Sequence, residues 1–128
     1  MRRFEPSRAQ LASAACVPDS NGVVTADLSG LVRLLDYQTG AVVTVLADLG
    51  DYTRAVAVSP NGKRIAVGCD DGGVRLYDRH SGGLVATWFH PAWIVGLAFV
   101  DDHTLAAGVS AGGWRLLALR DGEASARR

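Results

Sequence analysis

One pattern of turns and strands is written along this chain almost three times. Residues 15–40 read ACVPDSNGVVTADLSGLVRLLDYQTG, residues 57–82 read AVSPNGKRIAVGCDDGGVRLYDRHSG, and residues 98–122 read AFVDDHTLAAGVSAGGWRLLALRDG. Pro18 and Pro60 stand 42 residues apart, as do Gly40 and Gly82, and Gly82 and Gly122 stand 40 apart. A self-similar period of that size marks stacked supersecondary units. Each unit leaves an apolar face that only a neighbour can bury.

Within a repeat the periodicity is two. Val56 and Val58 alternate with Ala55 and Ala57, and Val74 and Leu76 with Arg75 and Tyr77. Short runs of β-branched, aliphatic and aromatic residues bounded by Gly, Asp and Pro are strands. Pro60-Asn61-Gly62 combines a fixed φ with residues that accept a positive one, and Asp71-Gly72, Ser29-Gly30, Ser81-Gly82 and Asp121-Gly122 are further reverse turns. No window long enough for a helix carries a 3.6-residue apolar stripe free of Gly or Pro. The spacing predicts strands over 11–17, 22–27, 31–36 and 41–47, over 54–58, 64–68, 74–78 and 84–89, and over 94–100, 104–109 and 113–119. The units are 11–47, 54–89 and 94–122. EASARR is too polar and short for a further strand.

AVSPNGKRIAVGCDDGGVRLYD resembles the WD-repeat blade of a β-propeller. Ser59-Pro60-Asn61-Gly62 matches that family's first turn, Ala66-Val67-Gly68-Cys69 its second strand, Asp71-Gly72 its tight turn, and Val74-Arg75-Leu76-Tyr77-Asp78 its third strand. Phe89-His90 stands for the Gly-His pair. The resemblance implies an all-β chain of three four-stranded antiparallel blades, the last incomplete. Tyr77 and Leu35 replace the signature Trp, Leu117-Ala118 replaces Trp-Asp, and Ser29 and Ala111 occupy the turn-Asp position. The family's buried hydrogen-bond network is therefore broken in every repeat. Packing must hold the blades, and buried polar groups should be few.

Propellers close with four to eight blades. Three blades leave faces and edges to cover. Three completions follow: a second copy packed head to tail into a six-bladed ring through the outer faces of the first and third blades, another propeller-bearing chain, or further blades of a longer protein. The segment MRRFEPSRAQ would complete the last blade poorly, because Pro6 lacks an N–H donor.

The formal net charge of +0 gives no field toward nucleic acid or an anionic membrane, so neither is an expected partner. No apolar run reaches the length of a membrane span, and MRRFEPSRAQ lacks the apolar core of a secretory signal. A cytoplasmic chain is the default. Cys16 and Cys69 lack CxxC spacing and read as small core or near-core residues rather than a disulfide.

No chemistry emerges from the motifs. Most acids recur at turns, neither Asp70-Asp71 nor Asp101-Asp102 has calcium-loop spacing, and the Gly doublets lie between strands, where no helix N-terminus makes a phosphate cradle. No cofactor, metal or catalytic residue is expected. A metal-dependent propeller hydrolase is a remote alternative, since the inner strands SAACV, RAVAV and VGLAF carry no acid.

The loops predict one binding rim: 47–54, 89–94, 69–72 and 109–112 gather Asp51, Tyr52, Arg54, Asp70, Asp71, His90 and Trp93. Aromatic and Arg side chains are frequent interface anchors. Trp93 could equally pack between blades, and Arg54 could be ordinary surface charge. Trp88 is expected against its blade's outer strand, and Trp114 in the core at the position of Val74. Two function classes follow: a non-catalytic scaffold binding protein or peptide through this rim, or a structural half-propeller whose partner is whatever closes its ring.

Overall fold

The computed structural model describes residues 10–119. The segments 1–9 and 120–128 lie outside it. They include most of MRRFEPSRAQ, the EASARR stretch and the expected end of the third unit at 122.

The described residues form eleven strands in three antiparallel sheets. The first sheet is β1 (Leu11–Cys16), β2 (Gly22–Asp27), β3 (Leu31–Asp36) and β4 (Val42–Asp48). The second is β5 (Thr53–Val58), β6 (Arg64–Cys69), β7 (Gly73–Asp78) and β8 (Leu84–Phe89). The third is β9 (Ile94–Asp101), β10 (Thr104–Val109) and β11 (Trp114–Ala118), with no fourth strand among the described residues. Each sheet is a meander in chain order.

The turns close as their residues demand. Gly62 and Gly72 have φ of 74° and 84°. The Gly62 N–H donates to the Ser59 carbonyl at 2.8 Å, and the Ser59 hydroxyl accepts from the Arg64 N–H at 3.0 Å. Ser59 is fully buried, so this side chain supplies a hydrogen bond that water cannot.

The sheets stack face to face through their inner strands, β1 against β5 and β5 against β9. One core joins Val24, Ala26, Val32, Leu34 and Leu46 of the first sheet to Val56, Ile65, Val67, Cys69 and Tyr77 of the second. The other joins Ala66, Val74, Leu76, Ala86 and Trp88 of the second to Ile94, Leu105, Ala107, Val109 and Leu117 of the third. The second sheet is thus covered on both sides. Its β6, buried from Ile65 to Cys69, reads as a continuous apolar run for that reason.

Three sequence expectations fail. Trp114 is 62 % exposed, not in the core: it keeps the register of Val74, but among the described residues no fourth sheet lies beyond it. Cys16 ends an inner strand and is exposed, while Cys69 is buried; both thiols are free. Polar groups also enter the interior. Asp27 is fully buried at the position Cys69 takes in the next repeat. Its Oδ1 accepts from the Ser29 N–H (2.8 Å), the Ser29 hydroxyl (2.6 Å) and the Leu31 N–H (3.0 Å). The first repeat has moved its turn carboxylate two residues upstream. The buried Thr53 hydroxyl donates to the Asp27 carbonyl at 2.5 Å and ties the first two sheets together.

Candidate functional site

The 49–52 loop leads into β5, whose second residue is Arg54, and the 90–93 loop leads into β9. Between them the turn after β6 carries Asp70 and Asp71. The Asp70 N–H donates to the Tyr52 carbonyl at 2.9 Å, which fixes this turn against the first loop.

On that frame, Arg54 donates from Nε to Asp70 Oδ1 at 2.6 Å and from Nη2 to Oδ2 at 3.2 Å. Its guanidinium carbon lies 4.9 Å from the Trp93 ring centroid and 5.6 Å from that of Tyr52. The bidentate hydrogen bond to Asp70 holds Arg54 above its ordinary pKa, more than burial lowers it. Trp93 and Tyr52 remain 43 % and 49 % exposed. The group is a cation held flat by a carboxylate, with two aromatic rings open to solvent.

A second group sits on the other side of the same turn. Arg75 donates from Nη2 to Asp71 Oδ2 at 3.0 Å, and its guanidinium carbon is 5.6 Å from the Phe89 ring centroid. Hydrogen bonds from Arg75 and from the Gly73 N–H hold the Asp71 carboxyl below its ordinary range. Arg75 Nη1 also donates to Cys69 Sγ at 3.3 Å, yet burial dominates there and pushes the thiol up to about 11. Cys69 is thus a protonated, inert side chain at neutral pH.

Of the predicted rim residues, Tyr52, Arg54 and Trp93 meet directly. Asp51 is exposed and accepts from the Tyr52 N–H at 2.8 Å. Asp71 belongs to the second group. His90 Nδ1 accepts from the Ala92 N–H at 3.0 Å, and the His90 backbone N–H donates to the Gly72 carbonyl at 2.8 Å, so His90 shapes the loop. Asp70, expected on this face, is the residue that anchors Arg54, and Arg75 and Phe89, read from the sequence only as blade residues, join the rim as a second group. The signal was the glycine at 73: Phe89 pairs with it across the strands and covers the space a side chain would take.

An apolar cavity of about 180 Å³ opens between the second and third sheets, lined by Val74, Trp88, Phe89, Ile94, Val109 and Leu117. Among the described residues no group of three or more His, Cys, Asp or Glu side chains could hold a metal ion. No helix of the described residues is long and apolar enough to cross a membrane.

Comparison with known proteins agrees with this geometry. Residues 44–78 match the family described as WD domain, G-beta repeat. Over 53 residues, 41 % of this chain, the sequence is 43 % identical to mouse (Mus musculus) Coronin-7. The aligned stretch spans 6 % of that relative's length. The structure is similar to the crystal structure of the Myceliophteria thermophila Cps50 (Swd1) beta-propeller domain. The TM-score is 0.81 at 16 % identity, over 91 % of this chain and 38 % of that one.

Proposed function

We propose that this chain, whose three sheets are WD40-like β-propeller blades with the third left open, is a non-catalytic ring-building unit completed by a second copy packed head to tail. One observation carries the reading. Val74 and Leu76 of the second blade are 2 % and 1 % exposed, whereas Trp114 and Leu116, at the same register in the third, are 62 % and 53 % exposed. Val95 and Val100 of β9 are exposed too, at 51 % and 63 %. Apolar surface of this kind is what one blade offers the next inside the chain. Burying it would stabilise the contact by about 25 cal/mol per Å².

Sedimentation velocity at micromolar concentration tests the proposal. The chain should run as a dimer, and Trp114→Asp with Leu116→Asp should return it to a folded monomer near 13.5 kDa. A wild-type chain that sediments as a monomer overturns the second-copy form and leaves the completing blades to another polypeptide or to further sequence of a longer protein.

A second reading, protein or peptide binding through the rim of Asp51, Tyr52, Arg54, Asp71, His90 and Trp93, draws support from the Tyr52–Arg54–Trp93 stack. Rings held open over a fixed cation resemble the aromatic and Arg anchors of interfaces. Trp93→Ala should weaken capture of such a partner by about 2 kcal/mol. Equal capture by folded Trp93→Ala and Arg54→Ala would leave the rim as ordinary surface.

A further inference from the structure

We propose that the Asn21–Gly22 peptide is a modification site. The Asn21 side-chain amide is lost spontaneously through a cyclic imide, while Asn61–Gly62, the same dipeptide in the next repeat, is protected by its turn. The proposal does not depend on how the ring is completed.

The chain has two asparagines, and glycine follows both. That pairing is the reactive one, because glycine has no Cβ to shield its amide nitrogen or restrict the backbone. In the reaction the Gly22 nitrogen bonds to Asn21 Cγ. The side-chain nitrogen departs as ammonia, with the proton that Gly22 gives up through solvent, and a five-membered imide remains. Water then opens the imide. Addition at Cγ yields aspartate. Addition at the main-chain carbonyl yields isoaspartate, in which the chain runs on through the side chain. Water is the one co-reactant.

The two sites are held differently. Asn61 Oδ1 accepts from the Ser59 hydroxyl at 2.7 Å and from the Lys63 N–H at 3.0 Å. The Asn61 N–H donates to Asp102 of the third sheet's first turn at 2.8 Å. Gly62, whose nitrogen would attack, is buried and donates to the Ser59 carbonyl at 2.8 Å. Bringing Cγ onto that nitrogen turns the amide out of both its hydrogen bonds.

Asn21 stands two residues later in its turn, at the place of Lys63: its carbonyl accepts from the Tyr37 N–H as that of Lys63 accepts from Arg79. It is exposed, and among the described residues its side chain makes no hydrogen bond. Gly22 is half-buried, and its N–H donates to the exposed Ser20 hydroxyl at 3.0 Å. A Cβ at Gly22 would lie 3.1 Å from Val17 and 3.2 Å from Leu34 and Ser20. The close packing that calls for glycine at 22 therefore leaves the labile pair in place.

The modification has a structural consequence. The Asn21 carbonyl accepts from the Tyr37 N–H at 2.8 Å, which joins the turn before β2 to the turn after β3. Isoaspartate converts that carbonyl into a free carboxylate and inserts a methylene ahead of β2. Either product adds a negative charge to the groove that Ser20, Asn21 and Asp36 of the first blade form with Arg79 of the second.

The test incubates the full chain at physiological temperature and mildly alkaline pH. Peptide mapping by mass spectrometry follows the amide-to-acid mass gain at each asparagine, and a parallel sample in urea gives the unprotected rates. In the folded chain Asn21 should convert about tenfold or more faster than Asn61, the factor set by releasing two hydrogen bonds at Asn61. In urea the two rates should converge. Asn21→Gln should stay unmodified at that position and leave the rate at Asn61 unchanged. Equal rates in the folded chain, a faster rate at Asn61, or no product at Asn21 over the time in which the urea sample converts overturns the proposal. The isoaspartyl fraction, separated by ion exchange, should lose hydrogen-exchange protection at the Tyr37 amide. Protection retained there overturns the consequence drawn for β2.

Discussion

The second and third blades are two copies of one plan with different fates. Each has a tight turn with a positive-φ glycine, an arginine in the middle of its third strand, and aliphatic side chains on alternate residues. In the second blade every one of these has a neighbour: Gly72 lies under the His90 carbonyl, Arg75 between Asp71 and Phe89, and Val74 and Leu76 against the next sheet. In the third blade Gly112, Arg115, Trp114 and Leu116 stand at the same register and, among the described residues, lack those neighbours. The pattern that makes a blade is local. What a blade residue contributes is decided by the sheet or loop beside it.

Matched substitutions in the two blades should therefore differ, and the widest gap should be at the turn glycines. Gly72→Ala puts a Cβ 1.8 Å from a backbone oxygen at a φ that L side chains rarely adopt. It should cost about 4 kcal/mol or more, by clash and strain together. Gly112→Ala keeps only the strain, about 1 kcal/mol. Gly62→Val belongs with the milder case, since its nearest neighbours lie at 3.7 Å. Urea melts of the variants check the ranking, and equal losses at 72 and 112 would break the comparison.

Leucines come next. Leu76→Ala opens a cavity between two sheets and should cost about 3 kcal/mol. Leu116→Ala should fall within about 0.5 kcal/mol in an unassociated chain. If the third blade's face is buried in a dimer, the second value rises with protein concentration, and that dependence sharpens the contrast.

The smallest difference is electrostatic. Asp71 has its carboxyl pKa lowered by Arg75, so its contribution is present above the ordinary carboxylate pKa near 3.8 and is lost as pH falls through the lower folded value. Asp71→Asn should flatten the acid limb of the stability profile below about pH 4. Ala111→Asp gives Arg115 the same partner and should add about 0.5 kcal/mol or less, steepening that limb. Thermal melts from neutral pH downward read both.

The strands were legible in the sequence because the turn chemistry is explicit. Pro60-Asn61-Gly62 and Asp71-Gly72 fix where strands end, and the two-residue alternation assigns their faces. The family resemblance then supplied the stacking. What was not legible depends on neighbours distant in the chain. Trp114 carries the same apolar signal whether a sheet lies beyond it or not, and its 62 % exposure follows from an absence that no local motif encodes. Asp27 looked like one more turn acid. Its burial follows from the hydrogen bonds of Ser29 and Leu31 closing over it and from Thr53 arriving from the next sheet. The Tyr52, Arg54 and Trp93 group was placed on one rim by loop order. Asp70 and Asp71 both belonged to that rim, and what loop order could not tell was which of them holds Arg54: Asp70 pairs with Arg54 and Asp71 with Arg75.

The bare face of the third blade has no like counterpart in the first sheet, where Thr25, Arg33 and Leu35 are already buried within the chain, at 6 %, 7 % and 1 % exposed. A contact formed between unlike surfaces has no two-fold axis of its own: it is heterologous, and each copy added carries the same unsatisfied surface forward. Such a series stops only when the accumulated rotation returns to its start. If the turn per chain brings the last copy onto the first, growth ends at a fixed size. If it overshoots, the same contact winds on as a filament, whose length rises with concentration.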